Sequence, residues 1–502
     1  MKATVGWRRA LLVTHRWLGI GGGVLVMAWF ASGIVMMYAR MPALDPGERL
    51  GRLPVLDATT VSVAPADAAR AGGVPERALV GARLGMLGDR PIYRFPAGTG
   101  AGAVFADTGR PLEPFTPNQA LSIVAGLAPE HAATLRHDGH LNEPDQWTLQ
   151  SRASLPLHRV ALGDAAGTRL YLSDRTGDLV MKTTASERRW AYAGVVLHWL
   201  YFTPFRVHST VWAHTIIWLS VAGCLLALSG LLWGVLRYSY GSPYSGLLRW
   251  HHYTGLVFGL FTFTWILSGG LSMDPWSWHP GTAPTQAQRA GVSGGALQVG
   301  ALTAEHVRVA AAALSAVPVV VAVAPAIKEL GIVQIHGDAY FVGHDSAGPP
   351  RLVSALSRGA SSFARFSDEE MLEAARRAMP NVPIEDAAWL TEHDAYYYGR
   401  GYEPGAGPPL PVLRVRYADA QQTWLYLDPV RGAIVRKEER LTRLNRWLYH
   451  GLHSLDFPFL YASRPLWDVV VIVLSLGGLL LSATTLLPGW RRVWRLVRRW
   501  SA

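Results

Sequence analysis

Four long uncharged stretches set the strongest limit on what this chain can fold into. They run over Leu18–Tyr38, Ser209–Leu236, His251–Met273 and Val469–Trp490. At about 1.5 Å of rise per residue, each is long enough as a helix to cross a hydrocarbon core about 30 Å thick. The sequence therefore predicts an α-helical membrane protein with four transmembrane helices in a lipid bilayer. Two long loops, 39–208 and 274–468, connect the first helix to the second and the third to the fourth.

The positive charge of the chain borders these stretches. Lys and Arg total 47 against 36 Asp and Glu, which gives a formal net charge of +11. Eleven basic residues lie in three segments without acidic residues: Lys2, Arg8, Arg9, Arg16, Arg237, Arg249, Arg491, Arg492, Arg495, Arg498 and Arg499. Lys and Arg accumulate in cytoplasmic loops. We therefore predict that three segments are cytoplasmic: the N-terminus, which together with the first span makes up residues 1–38, the 237–250 loop and the basic tail 491–502. The surplus charge then marks topology, and no nucleic-acid partner is expected.

An internal duplication accounts for most of the chain. Residues 155–202 align without gaps on residues 410–457, and the first span aligns on the third. The repeated unit is span, loop, span, so the two copies have the same orientation and are predicted to pack about a pseudo-twofold axis along the membrane normal. A cleaved signal peptide is the alternative for the first span. Its length and the later internal copy argue against that alternative.

The two external loops are predicted to be small α+β modules. Capping boxes at Thr116–Gln119 and Ser367–Glu370 each open a helix. Hairpins are predicted from Thr168–Ser173 with Asp178–Lys182, and from Thr423–Asp428 with Ala433–Arg436. The Gly- and Pro-rich segments Pro280–Gly295 and Gly399–Pro411 are typical of loops.

One pair of repeated histidines lies near the basic ends of the spans. His15, Gly19 and Gly23 share one helix face at four-residue spacing, and the third span repeats them as His251, Gly255 and Gly259. Small residues beside a histidine leave a slot for a flat group, so two such helices related by the pseudo-axis would suit a haem with two histidine ligands. The alternative is that the glycines mediate close helix packing and the histidines only cap the helices.

A second repeated pair, His198 and His453, precedes the second and fourth spans on the loop side. These residues are either ligands of a second haem or interfacial anchors of a short helix. His214, inside the second span, is a spare ligand candidate because ionisable residues within membranes are seldom without a role. The single cysteine, Cys224, rules out a CxxCH attachment, so any haem is bound non-covalently.

Other polar or aromatic positions favour structural interpretations. Trp29 and Trp265 lie between the two proposed sites, and bundle packing is the favoured reading. His137–His140 in the first loop and His393–Tyr398 in the second are read as solvated polar loops, with metal or substrate contact as the alternative. No catalytic side chain is assigned.

The chain resembles the PepSY-associated transmembrane-helix proteins. The resemblance rests on the His-Arg-Trp-x-Gly opening at His15–Gly19, its counterpart at His251–Gly255, the Leu-Tyr-Leu hairpins and the Leu-His element before spans two and four. It covers essentially the whole chain, although each motif is short. The family includes inner-membrane di-haem reductases that release iron from ferric siderophores in the periplasm.

The resemblance implies a multi-pass protein of the bacterial inner membrane with PepSY-like periplasmic loops and two haem b groups. Carried over by position, the axial ligands of the haem irons are His15, His251, His198 and His453. The substrate would be a ferric siderophore or another Fe(III) chelate. The loops are larger than those of the shorter members, which leaves the substrate open.

The electron donor is expected to be a separate cytoplasmic reductase or a membrane quinol. No GxGxxG loop follows a strand, and the cytoplasmic segments are too short for a flavin domain. Two other functions remain open. One is a non-enzymatic PepSY protein that binds peptides or modulates a periplasmic protease. The other is a metal transporter, which is disfavoured because the spans contain no carboxylate-rich path.

Overall fold

The computed structural model of the protein describes residues 2–75, 79, 81–95, 102–316, 326–345, 350–356, 362–399 and 407–500. The chain divides into two compact units. The helical unit comprises Met1–Met41, Ser186–Pro280 and Leu441–Ala502, and the sheet unit comprises Pro42–Ala185 and Gly281–Arg440. The second predicted loop, Gly399–Pro411, lies in part, at 400–406, outside the described residues.

Helices and strands follow this order. The α-helices are α1 (Lys2–Met36), α2 (Pro46–Arg52), α3 (Pro65–Ala71), α4 (Pro117–Leu127), α5 (Ala185–Ala191), α6 (Thr203–Arg206), α7 (Ser209–Arg237), α8 (Gly246–Leu271), α9 (Gln286–Ser293), α10 (Ala304–Ser315), α11 (Asp368–Ala378), α12 (Arg440–Asn445), α13 (Leu452–Ser454), α14 (Pro458–Tyr461) and α15 (Leu466–Trp500). The strands are β1 (Ala82–Leu87), β2 (Arg90–Arg94), β3 (Ala103–Phe105), β4 (Arg136–Leu141), β5 (Leu157–Ala161), β6 (Arg169–Ser173), β7 (Leu179–Thr183), β8 (Glu329–Ile335), β9 (Asp338–His344), β10 (Arg351–Ser354), β11 (Ile384–Leu390), β12 (Val412–Tyr417), β13 (Trp424–Asp428) and β14 (Ala433–Glu438).

The four predicted spans are confirmed as helices. In the described residues, four helices are long and apolar enough to cross a membrane: Gly6–Met36, Ser209–Arg237, Gly246–Leu271 and Leu466–Arg498. All four helices extend beyond the predicted spans at one end at least: α1 begins at Lys2, α7 ends at Arg237, α8 begins at Gly246 and α15 continues to Trp500. Basic residues end an apolar stretch, but Arg and Lys are good helix formers and do not end the helix itself.

The four long helices form a bundle with a defined order of neighbours. α1 packs against α7 and α15, and α8 packs against the same two helices. α1 and α8 therefore face each other across a diagonal of the bundle. Close approach depends on glycine at two adjacent positions of α15, where a Cβ would lie 2.4 Å from the Phe258 ring at Gly477 and 2.3 Å from the Phe30 ring at Gly478.

Two four-stranded antiparallel sheets have matching strand orders, β4-β5-β6-β7 and β11-β12-β13-β14. His158 pairs with Leu172 in the first sheet, and Leu413 pairs with Leu427 at the matching place in the second. Each third strand carries a register shift at its Tyr-Leu step, after Tyr171 and after Tyr426. Both predicted hairpins and both predicted capping boxes, at Thr116 and Ser367, are present.

A six-stranded sheet joins the two loops, which were predicted to form separate modules. Its strand order is β10-β9-β8-β1-β2-β3, and β1 pairs antiparallel with β8 through Leu84 and Leu330. Each loop supplies three strands, so neither β1 nor β8 is left as an open edge. This long-range pairing has no marker in the sequence of either loop.

A buried carboxylate, Glu329, lies in this six-stranded sheet. Glu329 on β8 accepts hydrogen bonds from Arg49 of α2 and Arg83 of β1, the latter at 2.9 Å. Burial by itself would raise the pKa of Glu329, but hydrogen bonding to Arg49 and the nearby positive charges outweigh it and lower the pKa to about 2. The Glu329 carboxylate therefore links the two loops in its ionised form.

The predicted loop Pro280–Gly295 was wrong in part, because it contains α9. Thr285 caps this helix by accepting from the backbone N–H of Gln288, whose side chain bonds back to the N-cap backbone. Gly294 ends the helix with a φ of 80°, a conformation that favours glycine. The Gly and Pro content therefore marked the helix ends, and the helix between them lacks a strongly apolar face.

Candidate functional site

The first histidine pair, the basic-end pair, is formed by His15 on α1 and His251 on α8. The two rings face each other across the bundle diagonal with centroids 6.0 Å apart and an interplanar angle of 33°. His15 Nδ1 lies 3.0 Å from the carbonyl oxygen of Leu226 on α7, and His251 Nδ1 lies 3.1 Å from that of Leu481 on α15. A carbonyl oxygen only accepts, so each Nδ1 carries the proton and donates it. Each Nε2 is left with a lone pair.

Glycine 230 allows His15 to approach α7. A Cβ at Gly230 would lie 2.5 Å from His15 Cε1, so any larger residue would displace the ring. Gly230 was not predicted, because it lies on a different span from His15, the histidine that it contacts. It follows Leu226, whose carbonyl oxygen accepts from His15, by four residues, so both lie on one face of α7.

The glycines predicted to form the slot differ in their surroundings. A Cβ at Gly19 would meet only Leu226 Cδ1, at 3.6 Å, and one at Gly255 would meet only Leu481 Cδ1, also at 3.6 Å. Gly23 would meet only Thr485 Oγ1, at 3.7 Å. Gly259 is different, because its Cβ would lie 2.8 Å from Leu231 Cδ2. Gly259 therefore serves close helix packing, which was the alternative interpretation of these glycines.

The second pair, the loop-end pair, is formed by His198 and His453. Their ring centroids are 6.1 Å apart with an interplanar angle of 74°. His198 Nδ1 lies 3.1 Å from the carbonyl oxygen of Trp29 on α1, and His453 Nδ1 lies 2.9 Å from that of Trp265 on α8. As at the basic-end pair, each Nδ1–H donates to a helix carbonyl and each Nε2 keeps its lone pair.

Two serines add a second contact to each loop-end histidine. Ser32 Oγ lies 3.1 Å from His198 Nδ1, and Ser268 Oγ lies 3.1 Å from His453 Nδ1. Both hydroxyls donate to carbonyls of their own helix, so their oxygens are free to accept from the imidazole. Burial lowers the pKa of His198 to about 3, with a further lowering from the neighbouring His453. His198 is therefore neutral, as a metal ligand must be.

A π-helical turn precedes each loop-end histidine. These turns run over Tyr192–Val196 and Arg446–Gly451, and His198 and His453 each follow two residues later. Such turns are rare and occur often at functional sites, because the extra residue redirects the side chains that follow. The first turn packs on α1, where a Cβ at Gly194 would lie 3.1 Å from Val35 Cγ1. This packing places His198 against the carbonyl groups of α1.

A cavity of about 470 Å³ lies beside the loop-end pair. Its lining is mostly apolar and aromatic, with His198 and His453 among the polar residues. The volume falls within the range of small-molecule and cofactor sites, about 300–1,000 Å³. Gly33 and Gly269 also line it, and their Cβ atoms would lie 3.5 and 3.2 Å from the Cε1 atoms of the two histidines. Trp265 is another lining residue, and within the described part of the chain its buried Nε1 has no hydrogen-bond partner.

The spacing of both pairs fits a metal ion held between two imidazoles. With metal–nitrogen bonds of about 2.0 Å, and about 1.1 Å from nitrogen to ring centre, the two centroids would be roughly 6 Å apart. The observed separations are 6.0 and 6.1 Å. The residues present therefore fit a haem iron at each pair, and the loop-end cavity also offers space for a flat macrocycle.

Aromatic side chains fill the bundle between the pairs, as predicted. The Phe30 and Trp265 rings lie 5.8 Å apart across the same α1–α8 diagonal. Phe30 belongs to a buried cluster with Val26 and Ile266, against which Trp29 and Trp265 pack. These apolar residues lie between the two pairs, and they also line the loop-end cavity.

His214 lies elsewhere. Its side chain is exposed on α7, in a shallow groove with Val211, Thr215, Trp218 and Leu219. The four paired histidines are half-buried, so the structure sets His214 apart from them. It stays a prediction as a spare ligand.

No protein family, curated protein or solved structure matches the chain. The geometry of the histidine pairs therefore carries the functional argument.

Two polar segments were predicted to be loops, and one of them, His393–Tyr398, is a loop after β11 in the structure. Asp145 accepts hydrogen bonds from Tyr171 and Arg159, and Asp394 accepts from Tyr426 and Arg414 at matching positions. The prediction was wrong for His137–His140, which lies on β4. Here His137 and His140 contact the buried His158. Burial lowers the pKa of His158, although Asp174 acts in the opposite direction.

Proposed function

We propose that the chain is a membrane-bound di-haem b protein that passes electrons between two ends of its helical bundle. One observation carries the proposal: two separate pairs of facing imidazoles, each about 6 Å apart, with every Nδ1–H directed at a helix carbonyl. Histidines that ligate metal characteristically donate their other ring N–H in this way. Helix-capping or interfacial histidines have no reason to meet in such pairs.

The chain's own residues would hold and orient each group. At the basic end, Leu226 and Leu481 fix the tautomers of His15 and His251, and Gly230 leaves room for the His15 ring. At the loop end, Ser32 and Ser268 join the carbonyl groups as acceptors. Bound haem would supply a one-electron carrier whose potential depends on axial ligands, hydrogen bonding and burial.

Both pairs belong to the same four-helix unit, which supports a path along the bundle. The intervening residues Phe30 and Trp265 are in ring contact across the bundle, so aromatic side chains lie between the two pairs. The basic residues near His15 and His251 favour that end as the cytoplasmic one. Electrons would then enter at the basic-end pair from a cytoplasmic reductase or a membrane quinol, and leave at the loop-end pair.

We infer that the acceptor is an Fe(III) chelate, and in particular a ferric siderophore in the periplasm of a bacterium. This part rests on the resemblance to PepSY-associated reductases and on the predicted orientation. One electron reduces each Fe(III) to Fe(II), which an oxygen-rich chelator holds more weakly. The chelator and the Fe(II) ion are then released on the loop side.

Reconstitution into liposomes tests this function. Vesicles containing the purified chain and an internal reductant would be mixed with an external Fe(III) chelate, and Fe(II) would be trapped by a chromogenic ligand. We expect reduction in vesicles with the wild-type chain and only background reduction with His15→Ala or His453→Ala. Equal rates in all three samples would contradict electron transfer through the bundle. A chain that carries haem but reduces no Fe(III) chelate would contradict the proposed acceptor alone.

A further inference from the structure

A separate cluster of metal-ligating side chains lies in the sheet unit. His140 on β4, His158 on β5 and Asp174 directly after β6 each offer one ligand atom, and these atoms lie within 4.8 Å of one another. We propose that the three side chains bind a divalent first-row transition-metal ion. All of the residues belong to the sheet unit, so the proposal does not depend on haem binding.

The register of the sheet brings these residues onto one face. His140 is paired with His158, and His158 with Leu172, so Asp174, two residues further along, shares their face. A register shift in β4 at Gly139, where φ is 147°, restores His137 to the same face. Without this bulge, His137 and His140 would point to opposite sides of the sheet.

The distances from the two histidines to the Asp174 carboxylate are close to those between ligands of one ion. His140 Nε2 lies 3.3 Å from Asp174 Oδ2, and His158 Nε2 lies 3.5 Å from Asp174 Oδ1. Ligands at about 2.0–2.1 Å from a tetrahedral ion are separated by roughly 3.3–3.4 Å.

One ring nitrogen in the cluster has only a long polar contact. The His158 side chain is 2% exposed, and within the described part of the chain its Nε2 makes no hydrogen bond of normal geometry, with Asp174 Oδ1 at 3.5 Å. Buried polar atoms are almost always satisfied, so an exception aimed at a carboxylate and a second histidine indicates a missing partner.

Neighbouring groups orient two of the three ligands. His137 Nε2 lies 3.0 Å from His158 Nδ1, so a proton on His158 Nδ1 directs its Nε2 lone pair toward the site. The backbone N–H of Phe115 donates to Asp174 Oδ1 at 2.5 Å. Partners of this kind hold metal ligands in position, which makes His137 a positioning residue.

The donor set selects the class of ion. Two imidazole nitrogens and one carboxylate oxygen suit ions such as Zn²⁺ or Fe²⁺, whereas Mg²⁺ and Ca²⁺ prefer oxygen ligands. The His140 side chain is 37% exposed, so an ion can enter from solvent and keep at least one open position.

The second four-stranded sheet shows that the fold does not require these side chains. At the places that match His140, His158 and Asp174, it carries Trp389, Leu413 and Pro429. The structural network around Asp145 does recur in the second sheet, around Asp394. Residues needed for the sheet are therefore repeated, and the cluster is not.

Zinc binding by the full-length chain tests the proposal. The detergent-purified protein, made without a polyhistidine tag and stripped with EDTA, would be dialysed against graded Zn²⁺ and assayed for bound zinc by mass spectrometry. We expect one site per chain that excess Mg²⁺ does not empty. Its affinity should fall about 100-fold in His140→Ala and Asp174→Asn, and about 10-fold in His137→Ala. His393→Ala, which removes an exposed histidine of the second loop, is the matched control and should bind as the wild type does.

Thermal unfolding separates loss of the site from loss of the fold. Without metal, His140→Ala and Asp174→Asn should unfold at the wild-type temperature, and Zn²⁺ should raise the unfolding temperature of the wild type only. The proposal is overturned if the wild type binds no zinc at this stoichiometry, or if His140→Ala and Asp174→Asn bind it as tightly as the wild type.

Discussion

The basic-end and loop-end pairs place two imidazoles at nearly the same spacing, but they use different parts of the chain to do so. At the basic end, the histidines belong to α1 and α8 and donate to carbonyl groups of α7 and α15. At the loop end, the histidines follow π-helical turns and donate to carbonyl groups of α1 and α8. The ring spacing is nearly equal, but the surroundings differ. At the loop end a serine contacts each imidazole and a cavity of about 470 Å³ lies beside the pair, whereas at the basic end the hydroxyl of Thr484 lies 3.4 Å from His251 Nδ1. If each pair holds a haem as proposed, the equal spacing predicts the same kind of ligand set and the different surroundings predict different potentials.

The largest expected effect comes from removing a single ligand. His15→Ala or His251→Ala should remove the basic-end haem and leave the loop-end haem, whereas His198→Ala or His453→Ala should do the reverse. The reason is that each pair lies on its own set of contacts, with no shared ligand. Haem per chain and the reduced-minus-oxidised spectrum of each variant measure the effect. Loss of both haems in a folded single variant would show that the pairs are not independent.

A change on a neighbouring helix should affect one pair only. Gly230→Val places atoms within 2.5 Å of His15 Cε1, so the ring is displaced and the basic-end haem is lost or weakly held. Gly22→Ala on α1 is the control, because a Cβ there meets nothing within 4 Å. Haem titration of both variants provides the measurement. A Gly230→Val protein that keeps two tightly bound haems would rule out the described approach of His15 to α7.

The serines should tune only the loop-end potential. In the double variant Ser32→Ala, Ser268→Ala, each loop-end Nδ1–H loses one hydrogen-bond acceptor. Each imidazole then becomes a weaker electron donor to the haem iron, so the midpoint potential of the loop-end haem should rise. A hydrogen bond of about 0.5–1.5 kcal/mol corresponds to roughly 20–60 mV for one electron. Redox titration should find the basic-end potential unchanged, and Thr264→Ala, at a half-buried position on α8 whose hydroxyl donates to the Phe261 carbonyl of its own helix, should shift neither. An equal shift at both haems would contradict the assignment.

The smallest expected effect is at His214. His214→Ala should keep both haems, both potentials and the rate of chelate reduction, because its side chain lies on the exposed face of α7. Spectra and rates measured beside the wild type check this. Loss of a haem from this variant would show that His214 is a haem ligand after all.

The sequence predicted best those features that rest on span length or on repeated residues. The four spans follow from their uncharged length, and both histidine pairs were predicted from residues that the sequence repeats. The structure brings the two members of each pair together. The hydrogen-bond acceptors of Leu226 and Leu481 were not predictable, since a backbone carbonyl has no side-chain signature. Gly230 was missed for a related reason, because its partner His15 lies on another helix.

Long-range pairing limited the prediction of the loops. β1 and β8 lie far apart in the chain, and neither strand carries a sign that it will pair with the other. The same limit hid the cluster in the first sheet. His137 and His140 were visible as neighbours, but His158 and Asp174 join them only through strand register and the bulge at Gly139.

The most direct test of the account is the haem content of the intact chain. Protein purified from haem-replete cells should contain two haem b groups per chain, both low-spin with two histidine ligands by electron paramagnetic resonance. The variant with His15, His251, His198 and His453 all changed to Ala should be folded, as judged by circular dichroism, and free of haem. A colourless wild-type protein, or a fourfold variant that still carries two haems, would contradict the claim that these histidine pairs are haem sites.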